Sequence, residues 1–561
     1  MKRLLAAAVF ALALAPRAAS AFCGFYVGGA DQRLYNNATQ VVLMREGTRT
    51  VLSMQNNYQG PPADFAMVVP VPVVLQKENV KTLPKSVFDR VDQLASPRLV
   101  EYWEQDPCQV VPDFKMGGGG GMRSLGGAVP TPTATAGTVR IEAQFEVGEY
   151  DIVILSATDA LALDQWLKTN NYKIPEGSEP YLRPYVQQGM RFFVAKVNVA
   201  KVKFVNGQAD LSPLRFHYDS EQFFLPIRLG LINSNGAQDL IVNILAQNQR
   251  YEVANYDNVA MPTNIDVSDA TRNNFPGFYT ALFDKTVTKR PKTVITEYSW
   301  QATSCDPCPV QPLAASELSV LGADVLPSMQ AVDDGSAPAG GAGGAPVRRP
   351  PSFYGGSSFV LTRLHARYTK DALGDDLFFR AAAPIVGGRE FVIGANGKLE
   401  EGAKPAASNN FQARYVIRHP WSGPAACAHP RRGVWGGPPG SGYGSTAQVK
   451  AAPKLGTAPR GNVQLAALLK GGAADETFLA AGGTTPTLSF PPPLGMADAS
   501  PPAVADAATA PDVDAGAPPP PPEAPTGGCA GCTASGSGAG TVFGVGALAT
   551  LVGLVVRRRR R

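Results

Sequence analysis

Val139-Arg140-Ile141-Glu142-Ala143-Gln144-Phe145-Glu146-Val147 is the stretch that decides the fold class of this 561-residue chain. Apolar residues alternate with charged or amide residues over its nine positions. Side chains on a strand point to opposite faces in turn, so this alternation is typical of a strand with one buried face. The stretch therefore predicts a half-buried β-strand.

Other segments repeat the strand signal around turn residues. Residues 191–199 are a further predicted strand, and Glu46-Gly47 is a turn signal between two apolar runs. Asn233-Ser234-Asn235-Gly236 is a second turn signal of the same kind. Two β-hairpins are therefore predicted: residues 39–44 with 48–54, and residues 225–232 with 239–245.

Helical patterns are fewer than strand patterns. Three stretches are predicted to be helical from their apolar spacing and their capping residues: residues 84–95, a short helix that restarts at Ser96-Pro97, and a helix near residue 160 capped by Ser156 or Thr158. Isolated helices among strands favour an α+β fold over a doubly wound sheet. We expect one strand-rich α+β domain with a few isolated helices.

Composition divides the chain into four predicted regions. They are a signal peptide at residues 1–21, an exported globular domain at 22–432, a disordered Pro/Ala/Gly stalk at 433–528, and a sorting segment with a transmembrane helix at 529–561. Inside the globular domain, residues 115–132 are a predicted flexible loop and 327–357 a predicted linker insertion. Strand patterns beyond the linker are assigned to the same domain.

The N-terminus has the pattern of a secretory signal. Lys2 and Arg3 precede an apolar run at residues 4–15, and Ala19-Ser20-Ala21 is a small-residue cleavage motif. Cleavage after Ala21 is expected. The protein is therefore predicted to be exported.

The C-terminus combines Cys529, Cys532, an uncharged run at residues 538–556 and the arginines 557–561. This order of parts resembles the MYXO-CTERM sorting signal of myxobacterial surface proteins. The resemblance implies that a membrane protease removes the helix and that a cysteine at the new end receives a lipid. A permanent transmembrane anchor is the alternative. Either way, the expected location is the cell surface, and the expected partners are the membrane and a sorting protease.

Net charge excludes one class of partner. The chain carries 51 basic and 46 acidic residues, and eight of the basic residues lie in the two terminal address segments. Without them, 43 basic residues face 46 acidic ones, a balance of about −3. No nucleic-acid partner is expected.

Five cysteines lie in the predicted exported body, where disulfides persist: Cys23, Cys108, Cys305, Cys308 and Cys427. Cys305-Asp306-Pro307-Cys308 leaves three interpretations open, namely a structural disulfide, a metal site completed by Cys427 and His429, and a redox dithiol. The structural interpretation is preferred because Pro307 and Pro309 oppose the helix that a redox pair needs. No metal or cofactor is expected.

The body also resembles a known family. Phe22-Cys23-Gly24-Phe25, the segment from Asp64 to Pro72, Phe216-His217-Tyr218-Asp219-Ser220 and the segment from Thr303 to Pro309 resemble the secreted family catalogued as domain of unknown function 2330. The resemblance covers residues 22 to about 437. It implies one domain that contains the linker, and it implies no activity.

Three hypotheses for function remain. The preferred one is a surface-displayed binding or structural module whose ligand is unknown. The second is an extracellular hydrolase with a dispersed site, for which His217 and Asp219 are the candidate residues. The third is a thiol-active envelope protein that uses Cys305 and Cys308. The catalytic residues, and whether the chain is an enzyme, stay unassigned at this stage.

Overall fold

The fold is given by a computed structural model. The structure describes the following residues: 25–26, 35–36, 39–55, 58–59, 66–108, 139–172, 174, 176–205, 208–231, 237–330, 359–369, 373–389, 399–400, 402–440, 447–452 and 454–470. The predicted loop at 115–132, most of the predicted linker and residues 471–561 lie outside the described residues. Ala21, Cys23, Cys529 and Cys532 lie outside them too.

Strands make up most of the described regular structure. In chain order they are β1 (Phe25–Tyr26), β2 (Tyr35–Asn36), β3 (Thr39–Glu46), β4 (Arg49–Met54), β5 (Tyr58–Gln59), β6 (Ala66–Val71), β7 (Val80–Thr82), β8 (Arg98–Glu104), β9 (Val139–Val147), β10 (Tyr150–Ala157), β11 (Arg191–Val197), β12 (Lys203–Val205), β13 (Gln208–Asp210), β14 (Leu214–Asp219), β15 (Phe224–Leu225), β16 (Gln238–Gln247), β17 (Arg250–Val253), β18 (Asp257–Ala260), β19 (Ile265–Asp266), β20 (Thr293–Gln301), β21 (Phe359–Tyr368), β22 (Leu377–Ala382), β23 (Ile385–Gly387), β24 (Lys404–Pro405), β25 (Asn410–Gln412), β26 (Arg414–His419), β27 (Trp435–Gly436) and β28 (Gln448–Ala451).

Helices are short and separated along the chain. The α-helices are α1 (Lys85–Ala95), α2 (Ala160–Thr169), α3 (Glu179–Gln187), α4 (Phe275–Lys289), α5 (Ala315–Leu321), α6 (Pro327–Gln330) and α7 (Leu465–Leu468). Single 3-10 turns cover Lys77–Asn79, Val199–Lys201, Arg228–Leu231, Asp269–Asn273, Ala323–Val325 and Leu455–Thr457. The prediction of a strand-rich α+β fold is confirmed.

An 11-stranded sheet forms the centre of the molecule. Its strand order is β24-β23-β25-β20-β21-β16-β3-β4-β14-β7, with β18 paired beside β20. The β3–β4 and β20–β21 pairs are antiparallel, whereas β16 pairs with β3 in parallel. Because β21 lies between β16 and β20, the segments on both sides of the predicted linker belong to one sheet.

The described body is built in four layers. A five-stranded sheet of order β1-β6-β11-β10-β9 packs on one face of the central sheet, where Met67, Phe193 and Leu43 meet in one apolar cluster. Helices α2 and α3 cover the other face of the smaller sheet through Leu163 and Leu182. Helices α1, α4 and α5 cover the second face of the central sheet. The central strands are therefore buried on both faces.

Successive side chains of β6 point to opposite faces of the smaller sheet, so this strand contacts the layers on both sides of it. Residues Val68 and Val69 are both fully buried, yet Val68 packs against the helices and Val69 against the central sheet. The predicted strand at 139–147 is β9, at the edge of this sheet; Arg140, Gln144 and Glu146 are exposed as the alternation predicts, but Ile141 is also 50% exposed and Glu142 is half-buried. Burial on both faces explains why the inner strands are apolar almost throughout.

Several local predictions are confirmed. The hairpin around Glu46-Gly47 is β3–β4, with Val41 opposite Met54, and Gly47 has the positive φ of 56° that such a turn requires. Residues 191–197 form β11 and residues 85–95 form α1. Helix α2 also exists, but its cap is Asp159, whose carboxylate accepts the N–H of Ala162 at 2.6 Å. Ser156 and Thr158 lie just before it.

Two local predictions are wrong. Residues 98–104 form strand β8 instead of a helix, because β26 pairs with this segment in parallel and β28 pairs with it antiparallel. The predicted hairpin of residues 225–245 does not form either. Strand β16 pairs with β21 and β3, and residues 228–231 form a 3-10 turn. Long-range pairing decides both cases.

In the first part of the predicted stalk, residues 433–440, 447–452 and 454–470 are described, and strand and core residues among them pack onto the body. Strand β28 pairs with β8, and Leu455, Leu468 and Leu469 are buried beside α4. These leucines give the segment the apolar surface that a Pro/Ala/Gly chain lacks. Among the described residues, no helix has the length and apolar character needed to cross a membrane, and residues 538–556 lie outside them.

The cap of α2 is open to a direct test. Asp159→Ala removes the acceptor of the Ala162 N–H, so we expect a loss of about 1 kcal/mol in the free energy of unfolding. Thr158→Ala is the matched control and should leave the midpoint of urea unfolding unchanged. Equal effects of the two substitutions would contradict the assignment of Asp159 as the cap.

Candidate functional site

His217 and Asp219, the candidate pair of the hydrolase hypothesis, lie on β14 but bind different partners. The Asp219 carboxylate accepts two hydrogen bonds from the Arg49 guanidinium, at 2.9 and 3.0 Å, which lower its pKa. The Nε2 atom of His217 lies 3.2 Å from the side-chain nitrogen of Asn79. Burial lowers the pKa of His217, and Arg49 adds to this effect. The pair is therefore not arranged as a catalytic dyad.

The described cysteines form two disulfides. Cys305 is bonded to Cys308 within its own motif, with Cα atoms 4.9 Å apart, and Cys108 is bonded to Cys427, with Cα atoms 5.6 Å apart. Cys427 is therefore engaged with Cys108 rather than placed to complete a metal site with Cys305 and Cys308. Over the described part of the chain, no group of three or more metal-type ligands occurs.

The loop that carries Cys427 is also tied to Glu104, the last residue of β8. The carboxylate of Glu104 accepts the backbone N–H groups of Trp421 and Gly433, at 2.9 and 2.8 Å. Burial would raise the pKa of Glu104, but these N–H groups and Arg432 outweigh it and lower the pKa. The loop is thus held by one covalent bond and one buried carboxylate.

A partly exposed aromatic and charged face lies beside this loop. Because β8 and β26 are parallel, His419 lies next to Trp103, and the two rings stack with centroids 4.8 Å apart. His419 Nε2 lies 3.1 Å from Glu101 Oε2. The same carboxylate accepts hydrogen bonds from Arg272, at 2.8 Å from Nε and 2.6 Å from Nη2. We call Glu101, Trp103, Arg272 and His419 the Trp103 face. The side chain of Arg272 is 38% exposed, so the face is accessible to solvent.

A buried group of charges lies under the helices that cover the central sheet. His365 on β21 is fully buried, and its Nδ1 and Nε2 atoms lie 3.0 Å from Glu297 Oε1 and 3.1 Å from Asp239 Oδ1. The Tyr279 hydroxyl on α4 lies 2.8 Å from Nδ1, and the imidazole stacks on Phe283 at 3.9 Å. Both ring nitrogens therefore face carboxylates.

Arg363, two residues before His365, extends this group toward α1. Its Nε donates to Glu297 Oε2 and its Nη1 to Asp92 Oδ1, both at 2.7 Å. Burial alone would raise the pKa of Glu297, but His365, Arg363 and the Tyr279 hydroxyl outweigh it and lower the pKa to about 2. Glu297 is therefore ionised at every ordinary pH.

The C-terminal segment closes the group from outside. Arg460 donates to both oxygens of Asp239, at 2.5 and 3.1 Å, and to Asp284 at 2.9 Å. The backbone N–H of Lys454 donates to Asp92 at 2.9 Å. The segment beyond residue 453 therefore supplies partners to the buried Asp92 and Asp239 and to Asp284, whose side chain is 37% exposed.

Opposite charges in this buried cluster are equal in number. Its members, which we call the His365 cluster, are Asp92, Asp239, Asp284, Glu297, Arg363, His365, Arg367 and Arg460. Four carboxylates face three guanidinium groups, so a protonated His365 completes the balance. Burial alone would lower the pKa of His365, but Glu297 and Asp239 outweigh it and raise the pKa. His365 itself has no exposed surface, so its imidazole is not accessible to solvent.

Sequence reasoning missed the His365 cluster. Arg363, His365 and Arg367 alternate with apolar residues along β21, which is the pattern of a strand with one solvated face. In the structure, α4 and the C-terminal segment cover that face. The one signal for this cluster in the sequence is His365, a histidine among the apolar residues of a strand.

Replacing His365 tests the charge balance. The pKa of His365 is higher in the folded state than in the unfolded state, where it is about 6.5. The free energy that the charged imidazole adds to stability is therefore fully present below about pH 6.5 and is lost as the pH rises through the folded-state pKa. His365→Gln should therefore cost about 3–5 kcal/mol of unfolding free energy at pH 6 and less at pH 9, measured by urea unfolding. His217→Gln is the control, because the lowered pKa of His217 gives the opposite pH trend. A pH-independent loss in His365→Gln would contradict a charged His365.

Replacing Arg460 tests the closing segment. Arg460→Ala leaves Asp239 with Arg367 and His365, and Asp284 with Arg367, so we expect a loss of about 1–2 kcal/mol, since Arg460 is one-third exposed. Amide hydrogen exchange should increase at residues 454–470. The control is Arg183→Ala, which breaks an exposed pair with Glu179 and should leave both measurements unchanged. Unchanged exchange in Arg460→Ala would mean that the segment is held by its leucines alone.

Comparison with known proteins identifies the family. No curated protein and no solved structure matches the chain. A family model described as an uncharacterized protein conserved in bacteria (DUF2330) matches residues 17–380. The match contains His365, Glu297 and Asp239, and it ends within β22, before the segment that carries Arg460. The chain therefore belongs to the uncharacterized bacterial family DUF2330.

Proposed function

We propose that this protein is exported and held at the cell surface by its C-terminal end, where the folded body acts as a binding or structural module. The secretory pattern of residues 1–21 and the cysteine, apolar and arginine segments of residues 529–561 support this location. The region between Lys470 and the cysteines contains no basic residue and is rich in Pro, Ala and Gly, which suits a stalk.

One observation carries the proposal: two disulfides tie the described body. Disulfides persist in exported proteins and are rare in the cytosol, where thiols are kept reduced. The Cys108–Cys427 bond joins residues 319 positions apart, and it fixes the loop beside the Trp103 face to the turn that follows β8. A bond of this kind favours a body that works in an oxidising environment.

The arrangement of titratable groups favours a module over an enzyme. His365 is enclosed by its carboxylate partners, Asp219 is bound to Arg49, and His217 faces Asn79. A general base must reach a substrate within hydrogen-bond distance, and none of these groups is placed for that. The hydrolase hypothesis therefore gains no support from these residues.

The Trp103 face is the best candidate for the contact surface of the module. An indole that is apolar on its faces and held rigidly by His419 offers a large contact area at low entropic cost. Arg272 and Glu101 add a fixed pair of opposite charges beside it. Aromatic residues and arginine are also enriched at protein interfaces.

The location is tested by deleting residues 527–561 in the producing bacterium. The unaltered protein should fractionate with the cell envelope, and the deletion variant should appear in the medium without residues 1–21. Cys529→Ser with Cys532→Ser is the matched control: it releases the protein if a lipid holds it and leaves it in place if the helix does. Recovery of the deletion variant in the cytosol with residues 1–21 intact would contradict the proposal.

A further inference from the structure

A row of buried polar residues crosses the central sheet. Strand pairing places Arg215 opposite Ser53, Ser53 opposite Val42, Val42 opposite Asn243, and Asn243 opposite Arg363. The row continues through Tyr298 to Gln412. We call Arg215, Ser53, Asn243, Arg363 and Gln412 the polar row. It therefore spans strands from β14 to β25.

The members of the polar row are enclosed, and each has an atom that lacks a hydrogen-bond partner among the described residues. Arg215 is 2% exposed and the other four are not exposed at all. The atoms are Ser53 Oγ, Asn243 Nδ2 and Oδ1, Arg215 Nε, Arg363 Nη2 and Gln412 Oε1. Buried polar side-chain atoms are usually paired in native proteins. Asn243 and Arg363 are direct cross-strand neighbours that both carry such atoms, and this pairing points to a ligand between them.

The centre of the row combines the strongest donor with an amide that has no partner. Arg363 uses Nε and Nη1 for Glu297 and Asp92, which leaves Nη2 as a donor. Asn243, its cross-strand neighbour, offers two N–H donors and one carbonyl acceptor. Cross-strand neighbours have Cβ atoms about 5 Å apart, a spacing that one small molecule can bridge.

The C-terminal segment packs closely beside Arg363 and so limits the size of any ligand there. The backbone of Gly456 lies so close that a Cβ at this position would approach Ile241 Cδ1 to 2.5 Å and Arg363 Nη2 to 3.5 Å. Charge also limits the ligand, because Arg363 is already neutralised by Asp92 and Glu297. A small neutral molecule that both donates and accepts hydrogen bonds fits these conditions.

We propose that Asn243 and Arg363 form an internal water site. The water accepts a hydrogen bond from Arg363 Nη2 and donates one to Asn243 Oδ1. Internal waters make about three hydrogen bonds and occur about once per 27 residues, so this site has the usual chemistry. By binding the third nitrogen of the guanidinium, the water holds Arg363 in the orientation that its bonds to Asp92 and Glu297 require. Asn243 is therefore a positioning residue for the His365 cluster.

Substitution of Asn243 in the full chain tests this site. Asn243→Leu keeps the approximate volume but removes the amide, so it should expel the water, lower the urea midpoint and increase hydrogen exchange around Arg363. Thr362→Val is the matched control, because the Thr362 hydroxyl also lacks a partner and lies opposite Ile244 and Ser299 on the same strand pairs. It should leave the midpoint unchanged or raise it.

High-resolution diffraction of the unaltered protein gives a second, independent answer. We expect an ordered solvent peak within hydrogen-bond distance of both Asn243 Oδ1 and Arg363 Nη2. A direct hydrogen bond between the two side chains, or no peak between them, would overturn the proposal even if Asn243→Leu fails to fold. A higher urea midpoint in Asn243→Leu would also overturn it, because a dry, unpaired amide is stabilised by removal.

Discussion

The equal number of opposite charges in the His365 cluster constrains much of this structure. Moving an ion from water into a protein interior costs several kcal/mol, and only well-placed partners offset that cost. Asp239, Glu297 and His365 come from the three neighbouring strands β16, β20 and β21, and Arg363 binds Asp92 from α1. Each of these elements supplies a charged partner to another one. An element can therefore bury its own charge without a loss of stability only when its partner is packed beside it.

The same requirement explains why the folded body continues past residue 433. The carboxylates of Asp239 and Asp284 both bind the guanidinium of Arg367, which carries one positive charge against their two negative charges. Arg460 supplies a second guanidinium to the same two carboxylates. Gly456 lets the chain pass close to Ile241, where a Cβ would come within 2.5 Å of Ile241 Cδ1. Burial of Leu455 and Leu469 then fixes the segment. This stretch is rich in Pro, Ala and Gly, yet it is ordered because a few of its residues pair with acidic side chains of the body or pack against its apolar core.

Sequence patterns predicted what depends on near neighbours. The β3–β4 hairpin, helix α1 and strand β9 were predictable because turn residues and apolar spacing act over a few positions. Strand β8 was missed because its short apolar run fits a helix as well as a strand, and its partner β26 lies more than 300 residues away. The His365 cluster was missed for the same reason: its members are spread from Asp92 to Arg460. No local pattern distinguishes a charge that faces water from one that faces another strand.

Burial also bears on what this protein does. A histidine held between two carboxylates, with a tyrosine hydroxyl on one side and a phenylalanine ring over its face, has the contacts of a catalytic base but no exposed surface. In the Trp103 face, by contrast, His419 is partly exposed and stacked on an indole. Buried paired charges beneath the sheet and a partly exposed aromatic surface beside a disulfide-bonded loop are the observations on which the proposed contact surface rests. If the body is displayed outside the cell, it has to stay folded without cytosolic chaperones. The His365 cluster links α1, α4, the central strands and the C-terminal segment, and it therefore stabilises the body against unfolding there.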